Sequence, residues 1–318
     1  MTIGLLGFQT TIAAPVTLAG IGVHSGAPVS ITFQPVEAGT GIVFSRQFAD
    51  GTSAEYRAVS SQVGATDLCT VLGTSPSRWV ATIEHVMAAL YALGVDNVMV
   101  EVDGGEMPIM DGSSFAFIEA IEQAGIVNLS AKRRYIRVVK PVRIDSGASW
   151  SEFRPHDGTR FEVEIDFASP LIGRQSWKGE LTAPRFKQEL SRARTFGFMR
   201  DVERLWAAGY ALGSSLENSV VISDDDSVVN VEGLRYTDEF VRHKTLDAVG
   251  DLALAGAQFI GCYRSYRGGH KMNANALKAL LSDPTAYEIV EAPTSRVARL
   301  RAGDFVPVSV SEAAPSFA

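Results

Sequence analysis

A chain of 318 residues with 46% hydrophobic and 20% charged side chains is an ordinary globular composition, long enough for two domains, and a net charge of −7 without any Lys/Arg cluster argues against a nucleic-acid binder. Two cysteines, Cys69 and Cys262, are too few and too widely separated for a disulfide framework or a C-x-x-C metal site, which fits a reducing cytoplasm. No uninterrupted apolar run reaches the roughly 20 residues of a membrane span; the first 36 residues lack Lys and Arg and are broken by Gln9, Thr10, Thr11 and Pro15, unlike a signal peptide.

In chain order, Val29, Ile31 and Phe33 alternate with Ser30 and Thr32, the period-two pattern of a half-buried strand. Apolar spacing predicts helices over about 82–93 and 113–124, with Gly94 and Gly125 placed as C-caps. The basic run 131–134 reads as loop-like and marks a boundary between a first domain, 1–130, and a second, 131–318. Phe161, Val163, Ile165 and Phe167 alternate with Glu162, Glu164 and Asp166 as another half-buried strand. Helices are then expected over about 238–255, capped by Gly256, and over 273–282.

The order of these elements repeats. Ile31-Thr32-Phe33-Gln34-Pro35 followed by Gly39-Thr40 has a counterpart in Ser151-Glu152-Phe153-Arg154-Pro155 followed by Gly158-Thr159. Later in each half a helix leads into an apolar strand, a Gly-Gly pair (Gly104-Gly105, Gly268-Gly269) and a further helix. A duplicated α+β unit is the expected fold. Residues 199–235 have no counterpart in the first half and combine an amphipathic stretch (Val202, Leu205, Trp206), a Gly/Ser-rich stretch and the run Ser219-Val220-Val221-Ile222; they read as a lid, an apolar pocket wall or additional core.

Two of the predicted helices carry chemistry. At about 100° per residue, His243, Asp247 and Asp251 fall on one face of a helix that is otherwise largely apolar or small. A buried polar stripe needs a partner, and a metal ion would be one. Glu84-His85 opens the corresponding helix of the first half. Two imidazoles and one carboxylate, with Glu84 to spare as a base, match a catalytic zinc site that keeps its fourth position for water. The same ligand types describe the facial triad of non-haem Fe(II) oxygenases. Asp251 has the alternative of a structural helix charge paired with an arginine. Lys244, next to His243, points off the ligand stripe and has the alternative of a solvated charge. His156 has no motif around it and reads as a surface or loop residue.

Six segments in order, 19–26, 82–85, 107–113, 191–198, 238–251 and 269–273, resemble the zinc-dependent UDP-3-O-acyl-N-acetylglucosamine deacetylases of lipid A biosynthesis nearly end to end. The resemblance implies two similar α+β domains packing their helices between two sheets, with an insert in each. It implies His85, His243 and Asp247 as ligands of one Zn2+ ion, for which Fe2+ is a possible physiological substitute, Glu84 as general base and His270 as general acid. Asp251 would partner His270; Thr195 and Lys244 would contact reacting or anionic groups; His24, Phe167 and Phe196 would contact substrate. The implied substrate is an acylated UDP-amino sugar whose acyl chain runs along the 199–235 insert. A cytoplasmic monomer is expected, with any association with the inner membrane transient. One departure stands out: Ala148-Ser149-Trp150 occupies a position where some relatives place a lysine before the tryptophan.

Overall fold

The computed structural model describes residues 7–292 and the backbone of a short strand, Val306–Pro307; the outer ends of both expected domains, 1–6 and most of 293–318, lie outside the described residues. Its helices are α1 (Glu84–Leu93), α2 (Phe115–Ala124), α3 (Ala183–Glu189), α4 (Met199–Ala207), α5 (Glu239–Leu252) and α6 (His270–Leu281).

Strand pairing shows the duplication directly. In the first sheet the order is Val16–Ile21, Pro28–Gln34, Val98–Val102, Ile42–Gln47, Ser53–Arg57, and the contacts along it run antiparallel, antiparallel, parallel, antiparallel. The second sheet contains Val142–Ser146, Ser149–Arg154, Gln258–Tyr266, Thr159–Asp166, Arg174–Glu180 in the same order and the same senses. The two Pro-terminated motifs read from the sequence occupy equivalent second strands. Arg134–Val138 and Tyr287–Glu291 extend the second sheet beyond the repeat.

Between the sheets lie α1 and α5, packed on each other. All ten residues of α1 are buried and α5 is buried along nearly its whole length, so the polar stripes both helices carry must find partners inside the fold. Gly94 and Gly256 close these segments in the left-handed conformation. The two helices approach closely at Gly250, where an added Cβ would lie 1.9 Å from the Glu84 carbonyl oxygen. Only a residue without a Cβ allows that approach.

Two sequence expectations are corrected. The run 131–134 is not a loop: Ile126–Lys132 and Arg134–Val138 are strands. Arg133 between them is buried, donating to Asp96 at 2.8 Å and to the Gly94 carbonyl at 2.6 Å. A buried guanidinium must be paired, so this basic residue ties the end of α1 to the second sheet instead of marking solvent. Helix α6 begins at His270, earlier than 273, because extended Gly269 is its N-cap and the Gly269 carbonyl accepts the first helical bond from Asn273.

The inserts fall at equivalent places, between the fifth strand of each repeat and its ligand-bearing helix. In the first half, residues 58–83 form a short turn and bridged segments Val63↔Leu72 and Leu72↔Val80. In the second, α3 leads to Phe196–Phe198, α4 and Val220–Ile222, with the two short strands paired in parallel. The inserted strand pair therefore starts slightly before residue 199. Helix α4 has no buried residue, and Trp206 is 55% exposed.

Candidate active site

His85 in the first turn of α1 and His243 and Asp247 one turn apart on α5 converge as the helices cross. Their ligand-type atoms lie within 4.8 Å of one another, and all three side chains are buried. Asp247 Oδ1 is 3.6 Å from His85 Nε2 and 3.3 Å from His243 Nε2.

The donor set fits a cation. His243 Nδ1 donates to the Ala193 carbonyl at 3.1 Å, leaving the lone pair on Nε2. Burial lowers the His243 pKa to about 3, so the ring is neutral. Burial alone would raise the Asp247 carboxyl, but the neighbouring His243, Lys244 and His85 groups hold it well below the usual carboxylate range. Asp247 Oδ1 is buried without a hydrogen-bond partner. An anionic oxygen and a neutral imidazole lone pair thus face each other with no proton between them, an arrangement that a metal ion turns from repulsive to bonding.

Lys244 does not point away as its position in the helix suggested. Its Nζ reaches back to Asp247 Oδ2 at 2.9 Å and lies 5.8 Å from the centre of the Phe196 ring. A long flexible side chain is not held to the direction of its Cα–Cβ bond.

Beside the cluster is a second set of groups. Glu84 Oε2 accepts from the Thr70 backbone N–H at 3.0 Å, and Oε1 is 3.8 Å from His270 Nε2. On its other side, His270 Nδ1 meets Asp251 Oδ2 at 2.9 Å. Asp251 also accepts from Asn273 Nδ2 at 2.8 Å and from the Thr70 hydroxyl at 2.6 Å. Asp251 is therefore paired with histidine, and the arginine partner considered from sequence is not present among the described residues. Burial raises the Glu84 pKa. Burial alone would lower His270, but the charges of Asp251, Glu84 and Asp247 and the Asp251 hydrogen bond raise it to about 9.

Thr195 is half-buried. Its N–H donates to Gly112 and its carbonyl accepts from Val220, while its hydroxyl has no protein partner among the described residues. Phe196 packs edge-on against Phe240 and Phe167 and faces the His243 ring at 6.3 Å. Phe167 is thus one ring removed from the cluster. His24 stacks edge-on against Tyr210 of the second insert, and its lowered pKa, due chiefly to burial, also registers the charge of His270. His156 lies away from all of these, paired with Glu180 at 2.8 Å.

Supporting residues emerge only in three dimensions. Arg194, the largest fully buried side chain, pairs with Glu239 at 2.9 Å and also with Glu232. This fixes Ala193 and Thr195 against the start of α5. Asp111 of the 107–113 motif pairs with Arg235 at 2.7 Å, closing the far end of the second insert. Glu106 accepts from the His24 and Ser25 N–H groups and from the Ser25 and Thr82 hydroxyls, building the His24 turn. The signal available in sequence was a lone acid or arginine inside a motif, which does not reveal its partner.

A cavity of about 410 Å³ adjoins His270 and is lined by Ser149, Arg267, Gly269 and Lys271 among others. Another of about 320 Å³ lies at the opposite ends of α1 and α5, beside Tyr91 and Gly256, remote from the ligand cluster.

A duplicated α+β fold that closes two imidazoles and a carboxylate between its halves, with a carboxylate–histidine pair alongside, has the form of a metal-dependent hydrolase. The chain belongs to the UDP-3-O-acyl-N-acetylglucosamine deacetylase family, LpxC, whose model matches residues 9–282. It is 61% identical over 285 residues to the proteins of that name from Brucella ovis, Brucella canis and Brucella abortus, covering 90% of this chain and 99% of each relative. No helix among the described residues is long and apolar enough to cross a membrane.

Replacing Asp247 by alanine removes the one carboxylate of the three-residue cluster and leaves its two imidazoles. Metal affinity is expected to fall by more than the roughly 10–100-fold that loss of an outer-shell partner costs. Metal analysis of the dialysed protein checks this; full occupancy would remove Asp247 from the ligand set.

Proposed function

We propose that this protein hydrolyses the N-acetyl amide of UDP-3-O-acyl-N-acetylglucosamine, giving acetate and the free amine, at the committed step of lipid A biosynthesis in a Gram-negative cytoplasm. The observation that carries the reading is the placement of Glu84 and His270, 3.8 Å apart, beside a buried ligand cluster. The ion proposed is zinc, held by His85, His243 and Asp247, with Fe2+ as the physiological alternative because it accepts the same ligand types.

Bound at this cluster, the ion would supply Lewis acidity and lower the pKa of a water molecule to roughly 7. Glu84 takes the proton from the attacking water; burial raises its affinity for that proton. An amide nitrogen leaves poorly as an anion, so it must be protonated, and His270 begins in the charged form that Asp251 favours. The Thr195 hydroxyl, without a protein partner among the described residues, is available to the developing oxyanion. Arg267, Lys271 and the start of α6 give the 410 Å³ cavity the character of a diphosphate site. Phe196, Phe198 and the exposed apolar face of α4 supply a surface for the acyl chain. His24 and Phe167 close the substrate cleft, and Lys244 contacts its anionic groups. The proposed domains, 1–130 and 131–318, meet near the end of the strand Ile126–Lys132, and a monomer is the proposed state.

Mass spectrometry of the proposed substrate after incubation with purified protein, with and without a chelator, is the direct test. Loss of one acetyl group that chelation prevents is expected. Intact substrate with metal bound would move the reading to another N-acyl sugar.

The proton inventory gives a second expected result. Activity requires Glu84 unprotonated, hence pH above its pKa, and His270 protonated, hence pH below its pKa. The basic limb of kcat/KM is expected near pH 9 and should move down when Asp251→Asn removes the neighbouring charge. An unmoved basic limb in that variant would detach it from His270.

A further inference from the structure

Thr70 has no assigned part in the chemistry, yet each of its polar groups is committed to the two elements that carry it. The side chain is 1% exposed. Its N–H donates to Glu84 Oε2 at 3.0 Å, and its hydroxyl donates to Asp251 Oδ1 at 2.6 Å. Its carbonyl accepts from Ile83, the residue that precedes α1. Asp251 Oδ2 is already shared by His270 and Asn273, so the hydroxyl is the partner of the other oxygen. One buried residue from the first insert thus spans a carboxylate at the start of α1 and a carboxylate near the end of α5.

We infer that Thr70 is a positioning residue that sets the proton-accepting Glu84 and the proton-donating His270–Asp251 pair in register across the contact between the two halves. This rests on the roles proposed above for Glu84, His270 and Asp251. Two carboxylates in one buried site repel each other, and neither can turn toward water for compensation. Thr70 gives each a donor from a single rigid point. Its rotamer is restricted by β-branching. Its backbone is held by Leu72, two residues on, which bridges to both Val63 and Val80. With Oδ1 held by the hydroxyl, the Asp251 carboxylate cannot rotate about its χ2, and Oδ2 stays directed at His270 Nδ1. The backbone N–H independently holds Glu84, so the two functions of Thr70 separate by mutation: valine removes the hydroxyl bond and retains the N–H bond.

The test uses the full-length, metal-loaded protein and compares Thr70→Val, Thr70→Ser, Asp251→Asn and the Thr70→Val/Asp251→Asn double variant. Thr70→Val is expected to lower kcat by about 10- to 100-fold, the range for loss of an outer-shell orienting partner, with KM and metal content unchanged. Thr70→Ser should return kcat to within about threefold of wild type, since it restores the donor. In the Asp251→Asn background the valine change should add nothing, because the charged carboxylate that Thr70 orients toward His270 is no longer there. A readout apart from turnover is the imidazole N–H resonance of His270 in 15N-histidine-labelled, metal-free protein, which valine should shift or broaden and serine should restore. Should valine prevent folding, Thr70→Ala carries the same comparison. Wild-type kcat in Thr70→Val, or a full multiplicative loss in the double variant, overturns the inference. Wild-type kcat in Asp251→Asn alone removes the proposed acid pair, and the role of Thr70 with it.

Discussion

Glu84→Ala is expected to lower kcat by about 10²- to 10⁴-fold, the contribution of a positioned general base, while leaving one metal ion bound per chain. The two halves of this expectation come from different atoms. Glu84 Oε1 faces His270 and Oε2 is committed to the Thr70 N–H, so neither is joined to the His85–His243–Asp247 set. On the mechanism proposed above, removing the carboxylate takes away the group that accepts the proton of the attacking water and leaves the His85–His243–Asp247 set intact. Its neighbour His85 remains anchored, because the His85 carbonyl accepts from the Ser114 hydroxyl at 2.8 Å. Paired kcat and metal measurements on the same preparation decide the matter. Loss of metal together with activity would make Glu84 a ligand, and retention of activity would place the base elsewhere.

Gly250→Ala is expected to cost about 3 kcal/mol or more in stability and to reduce activity about 100-fold. The added Cβ would lie 1.9 Å from the Glu84 carbonyl oxygen, 2.7 Å from its carbonyl carbon and 3.0 Å from its Cα. These are backbone atoms at the start of a wholly buried helix, so no side-chain rotation relieves the clash and α1 must move away from α5. That movement separates Glu84 and His85 on one helix from Asp247 and Asp251 on the other. Urea unfolding and kcat on the same variant test the expectation, with Gly197→Ala as reference for stability because its Cβ would meet nothing within 4 Å. Wild-type stability in Gly250→Ala would mean that the helices part freely and that the close contact does not set the site.

Much of this arrangement was legible before folding. The stripe His243, Asp247, Asp251 follows from helical periodicity, and the duplication was visible in the repeated order of a Pro-terminated strand, a helix, an apolar strand and a Gly-Gly pair. The sheets bear out that repeat strand by strand, including the sense of each pairing. Three readings failed for identifiable reasons. Basic residues at 131–134 suggested solvent, but Arg133 is buried and paired with Asp96, 37 positions away. Lys244 was assigned a direction from its Cα position, but its flexible side chain reaches Asp247. The Gly-Gly pair before α6 concealed a helix that starts directly at His270.

Periodicity, capping residues and residue type are local properties of the chain, and they determined most of the elements, the two central helices among them, and which of their side chains are candidates for chemistry. Distances between groups far apart in sequence are not local. The contact of α1 with α5 at Gly250, the union of His85 with His243 and Asp247, the Arg194–Glu239 anchor and the double commitment of Thr70 to Glu84 and Asp251 were decided by packing. Buried charges must find partners wherever the fold places them, so partner identity is settled only when the two halves close on each other.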